Sequence, residues 1–188
     1  MKLLTLTLAM LFAWPNVPGA QEATTYRVLA TNKTSTMQKE MQEAAAAGFR
    51  YAAVMGGETS FGGNEVVVLM QKTATAQRFE YRLLATSKTS TLQKELQDAA
   101  DAGFEFVGQT VFESLFGGKE VAAILERNPQ AAANGKWEYR LIATKRTSTL
   151  QKELQELGNQ GFAALAMTVG QTAIGGNELV VITRRAAP

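Results

Sequence analysis

Across residues 81–125 the pattern of apolar and polar positions changes period in a way that predicts four elements. Tyr81-Arg82-Leu83-Leu84-Ala85-Thr86 reads as a short strand, with Arg82 alternating against its apolar neighbours. Leu92, Leu96, Ala99 and Ala100 then recur at helical spacing and form one apolar stripe. Ser90 with Gln93 three residues on predicts a capping box at the helix start, and Gly103 predicts a left-handed end with Phe104 folding back onto the last turn. Phe104 to Glu113 reads as a second strand. Gly117-Gly118 predicts a hairpin turn, and Val121 to Leu125 a third, more fully buried strand.

The same pattern occurs three times in register. Tyr26-Arg27, Tyr81-Arg82 and Tyr139-Arg140 each precede a Thr-Ser-Thr by eight residues, a Gly-Phe by twenty-two and a Gly-Gly by thirty-six. The units run 26–72, 79–127 and 137–185, joined by short polar, Ala-rich linkers. The expected fold class is therefore α+β: three tandem βαββ repeats, each a three-stranded sheet with one helix on a face. A unit of fewer than fifty residues buries too little surface to be secure alone. The three are expected to pack as one compact, pseudo-symmetric domain, either about a threefold axis or as one extended sheet.

Trp137-Glu138-Tyr139-Arg140, a Leu-rich helix, Gly-Phe at Gly161, the Gly-Gly at Gly175 and a closing apolar strand make a frame. That frame resembles a group of small bacterial domains of unknown function, which usually carry one such unit and often Gly-Trp in place of Gly-Phe. The resemblance implies a fold and no activity. The element order is also similar to that of dodecins, small flavin-storing oligomers, which is an analogy of order alone.

The N-terminus departs from the repeats. Lys2, an apolar run from Leu3 to Trp14, the breakers Pro15 and Pro18 and small residues at Gly19 and Ala20 predict a signal peptide over 1–20. The run is too short for a permanent membrane anchor, so no integral membrane segment is expected after its removal, and the destination is secreted or periplasmic. Cysteine and histidine are both absent, which excludes thiol catalysis, thiolate metal sites and the usual neutral-pH general base. The near-balanced net charge of +2 argues against nucleic acid as a partner.

Candidate chemistry is sparse. Arg27, Arg82 and Arg140 share equivalent strand positions and could form an anion-binding ring about a threefold axis. Cross-strand pairing with Glu65, Glu120 and Glu178 is the simpler expectation. Phe61, Phe116 and Ile174 precede the Gly-Gly turns and are candidate interaction tips, or core between units. Each Thr-Ser-Thr could hold an anion at a helix start, although capping accounts for the spacing. Lys39, Gln42 and Glu43, with their counterparts, read as a solvated helix face. The second strands differ most between copies, at Gly56-Gly57-Glu58, Val111-Phe112-Glu113 and Val169-Gly170-Gln171. No cofactor, metal or catalytic residue is predicted. The reading is an exported, non-catalytic binding or interaction protein of a bacterial envelope, its partner a protein or small ligand. The alternatives are a carboxylate-dependent hydrolase using Glu58 and Glu113, or a small anionic or aromatic ligand-binding protein with a threefold site.

Overall fold

The structure, a computed structural model, describes residues 23–59, 63–74, 77–113, 119–131, 136–171 and 176–187. The first repeat comprises β1 (Tyr26–Thr31), α1 (Thr34–Ala46), β2 (Phe49–Thr59) and β3 (Gly63–Lys72). The second comprises β4 (Glu80–Thr86), α2 (Thr89–Asp101), β5 (Glu105–Glu113) and β6 (Lys119–Arg127). The third comprises β7 (Trp137–Thr144), α3 (Thr147–Asn159), β8 (Ala163–Gln171) and β9 (Asn177–Ala186). Three tandem βαββ units are thus present as expected, forming three separate sheets rather than one extended sheet.

In each sheet the last strand is central, in the orders β1-β3-β2, β4-β6-β5 and β7-β9-β8, and it runs antiparallel to both neighbours. The central position explains the apolar runs of β3, β6 and β9; β6 and β9 are covered on both faces, and β3 on the face toward its own helix. Their side chains alternate between two environments. Val121, Ala123 and Leu125 pack with Leu92 and Leu96 of the unit's own helix. Ala122 and Ile124, on the back face, join Met37, Met41 and Ala44 of the preceding helix. Val180 and Ile182 of β9 pack in the same way onto the second repeat. The repeats therefore follow one another in a stack, sheet back onto preceding helix and sheet. Each junction carries a continuous apolar core.

Local punctuation holds the units in shape. Gly48, Gly103 and Gly161 end the helices with φ of +84°, +83° and +85°, a region where only glycine is unstrained. Behind Gly103, the Phe104 N–H bonds to the Ala99 carbonyl at 3.0 Å, and Phe162 repeats this onto Leu157. The helix starts differ from expectation. The helices begin at Thr34, Thr89 and Thr147, the N-cap positions are Lys33, Lys88 and Arg146, and none has a side-chain cap. Ser35, Ser90 and Ser148 fall inside the first turn. The hydroxyls of Thr31, Thr86 and Thr144 instead accept from the N–H groups of Lys33, Lys88 and Arg146 just before each helix.

Candidate functional site

Gln38 and Gln93, which stand at capping spacing, serve the junctions between repeats instead. β4 and β7 are edge strands, and one row of their backbone groups faces away from the sheet. Gln42 Nε2 donates to the Tyr81 carbonyl at 2.8 Å, and Gln38 Oε1 accepts from the Leu83 N–H at 2.9 Å. At the next junction Gln93 binds both the Tyr139 carbonyl, at 2.9 Å, and the Leu141 N–H, at 2.7 Å. Gln97 does the same for the Trp137 carbonyl and the Tyr139 N–H, at 3.0 and 3.1 Å. An amide offers one donor and one acceptor side by side, so each helix presents glutamines where a further strand would stand. The edge is satisfied and blocked against pairing with another sheet. Gln42 and Gln97 are consequently half-buried, which corrects their assignment to a solvated face. Lys39–Glu43 and Lys152–Glu156, at 3.9 and 3.8 Å, do lie on that exposed face.

A tyrosine completes each junction. β2, β5 and β8 bulge after Tyr51, Phe106 and Ala164, where the ladder skips one residue. Tyr81 reaches back to the first bulge and accepts the Tyr51 N–H at 2.7 Å, and Tyr139 accepts the Phe106 N–H at 2.9 Å. The Tyr81 hydroxyl also donates to Glu126 at 3.2 Å. Burial, with Glu126 nearby, pushes the Tyr51 phenol up to about 12. The Tyr81 phenol is also raised, chiefly by burial.

Along the side of the stack runs a cleft of about 860 Å³, lined by Arg50, Glu105, Glu126, Arg127, Trp137 and Arg184 among others. Arg50 of the first repeat binds Glu126 of the second through Nε at 3.0 Å and stacks on Phe79, its charge 4.3 Å from the ring centre. This hydrogen bond holds the Arg50 guanidinium protonated above its ordinary range. At the next junction the equivalent pair is Glu105 with Arg184, at 3.3 Å, and Arg184 stacks 4.1 Å from Trp137. The two junctions use the same positions with the charges exchanged. Arg127 pairs with Glu80, and Asp101 accepts from Gln97 at 3.0 Å. The indole N–H of Trp137 and the amide of Gln109 are closed off from solvent and have no hydrogen-bond partner among the described residues.

The predicted site residues stand elsewhere. Arg27 faces Met70 across the ladder, Arg82 faces Leu125 and Arg140 faces Thr183. Glu65 lies opposite Gly57, at the other end of β3. The expected cross-strand pairs therefore do not form, because in an antiparallel ladder the starts of β1 and β3 lie at opposite ends. Arg27 and Arg82 sit 4.6 Å over Phe49 and Phe104, while Arg140 binds Glu138 at 2.8 Å. The described contacts occupy each arginine within its own repeat and bring none of the three together. Glu138 also binds Arg185, which together with Arg140 holds its carboxyl below the usual range. Phe61, Phe116 and Ile174 lie outside the described residues, as does the signal segment. Glu58 and Glu113 are exposed, and Asn64 approaches Glu113 at 3.5 Å.

The divergence of the second strands has a packing cause. A Cβ on Gly56 would stand 2.2 Å from the Val111 carbonyl oxygen, so the first sheet needs glycine where the second and third carry Val111 and Val169. No group of acidic side chains suited to a metal ion occurs among the described residues, and no described helix is long and apolar enough to cross a membrane. No protein-family model, curated protein or solved structure matches the chain. The junction residues leave no signal within a single copy, because their partners lie in the neighbouring one. Aligned, the copies carry Arg50, Glu105 and Ala163 in one column and Gln71, Glu126 and Arg184 in another. Compensating charges in two columns are the signal of a contact between successive copies.

Proposed function

We propose that this is an exported, non-catalytic interaction protein of a bacterial envelope, secreted or periplasmic, acting through its surfaces rather than through turnover in its cleft. The observation that carries the reading is the state of the cleft. Each ionisable side chain lining it among the described residues already has an internal partner: Arg50 has Glu126, Glu105 has Arg184, Arg127 has Glu80 and Asp101 has Gln97. A catalytic carboxylate needs a proton-transfer position open to a substrate, whereas Glu126 and Glu105 are each bound to a guanidinium group and Asp101 to the Gln97 amide. Export rests on the order of Lys2, the apolar run to Trp14 and the small residues at Gly19 and Ala20.

The test is a turnover screen of the purified chain with chromogenic esters, phosphates and glycosides, alongside Glu58→Gln/Glu113→Gln. No turnover above buffer is expected. Activity that disappears in the double variant would replace this reading with a carboxylate-dependent hydrolase.

A further inference from the structure

Among the described residues, both ends of the stack are left uncovered. Tyr81 and Tyr139 are 2% and 1% exposed because a preceding repeat covers them, yet the equivalent Tyr26 is 56% exposed and Val28 beside it 64%. At the other end Gln151 and Gln155 are exposed, whereas their counterparts Gln93 and Gln97 clamp the next edge strand. Met167 and Val169 on β8 are 65% and 48% exposed, whereas the equivalent Gln109 and Val111 are half-buried under the third repeat. Terminal units of a stacked array ordinarily turn a polar outer face to solvent. Both terminal units here keep the residues of an internal junction instead.

The two ends complement each other position by position. Tyr26 occupies the place from which Tyr81 and Tyr139 reach a bulge, and the third sheet bulges between Ala164 and Ala166 without a tyrosine to fill it. Gln151 and Gln155 stand where glutamines receive the edge groups of a following first strand, and among the described residues no helix precedes β1 to supply them. The charge columns agree too. The end positions are Gln71 and Ala163, both neutral, so the contact repeats neither internal ion pair and opposes no like charges.

We propose that a second copy of this chain docks head to tail. The back face of its first sheet, centred on Tyr26 and Val28, covers α3 and β8 of the copy before it as a third instance of the internal junction. The contact is heterologous, so it propagates to a filament or closes into a ring according to the rotation per chain. This names a partner within the interaction role proposed above and rests on that reading.

The test is sedimentation velocity on the exported chain over a concentration series, with two surface variants. Mass is expected to rise with concentration beyond a single chain. Val28→Lys and Met167→Glu alter residues that are already exposed, so each is expected to keep its melting temperature and to weaken association at least tenfold. Mixed one to one, they are expected to give a species of two chains and no larger, because each retains the face the other lacks. A wild-type chain that stays monomeric, association that survives in both variants, or a mixture that fails to pair would overturn the proposal. Footprinting that finds Tyr26 protected at monomeric mass would assign the face to residues 1–22 of the same chain, and would overturn it as well. The turnover screen is read separately, so a catalytic monomer, a catalytic assembly and an inert monomer are three different results.

Discussion

The hydroxyl of Tyr81 accepts the backbone N–H of Tyr51 at 2.7 Å, across the junction of the first two repeats and at the bulge of β2. An inserted residue leaves a strand N–H without its ladder partner, and the next repeat supplies the acceptor. Tyr81→Phe removes that acceptor while keeping the ring. It is expected to cost about 1–3 kcal/mol, the range for leaving a buried donor unsatisfied. Tyr26→Phe is expected to leave monomer stability unchanged. Denaturant unfolding of both variants checks the pair.

Alkali should act through the same tyrosines. The Tyr51 phenol is raised from 10.0 to about 12, and that of Tyr81 is raised in the same direction. A folded-state value above the unfolded one means that the folded chain holds its protons more tightly. The contribution is complete below pH 10 and is lost as pH rises through the folded values. Stability is therefore expected to fall between pH 10 and 12, with tyrosinate absorbance appearing together with unfolding. The gap between wild type and Tyr81→Phe should narrow over that interval. A constant gap would detach Tyr81 from the alkaline transition.

Gln93 and Gln151 are equivalent in sequence and opposite in circumstance. Gln93 holds two backbone groups of β7, whereas Gln151 is exposed. Gln93→Ala is expected to cost about 1–3 kcal/mol and Gln151→Ala less than about 0.5 kcal/mol in the monomer. Hydrogen exchange should locate the first loss at Leu141, whose N–H is the one released.

The exchanged ion pairs can be tested by exchanging them again. Glu126 is 7% exposed, so Arg50→Glu places a second carboxylate against a buried one. A loss of about 3–5 kcal/mol is expected, in the range for breaking a buried pair. Arg50→Glu with Glu126→Arg recreates the arrangement of Glu105 and Arg184 and should recover most of it. A double-mutant cycle measures the recovery directly.

What the sequence disclosed was whatever depends on neighbours along the chain. The repeat, the order of elements and the left-handed ends at Gly48, Gly103 and Gly161 follow from local spacing and steric rules, and the structure has them where expected. The errors fell where a second repeat decides. Gln38 and Gln93 sit at capping spacing, but an edge strand that exists only in the stack offers them better partners. The pairing of Arg27 with Glu65 assumed that the starts of β1 and β3 meet, and the central, antiparallel placement of β3 separates them. The role of Tyr81 was illegible because its acceptor serves a bulge that no periodicity announces.

The alternating charges bear on how many units the gene can hold. Tandem arrays gain and lose copies when near-identical segments recombine out of step. Loss of the middle unit here would bring Arg50 against Arg184, and its duplication would set Glu105 against Glu126. Both rearrangements put like charges together in a partly buried junction, where they repel. Neither product would fold as well as its parent. The two junctions thus encode a count, and an array of three is the length at which every charged neighbour is opposite in sign.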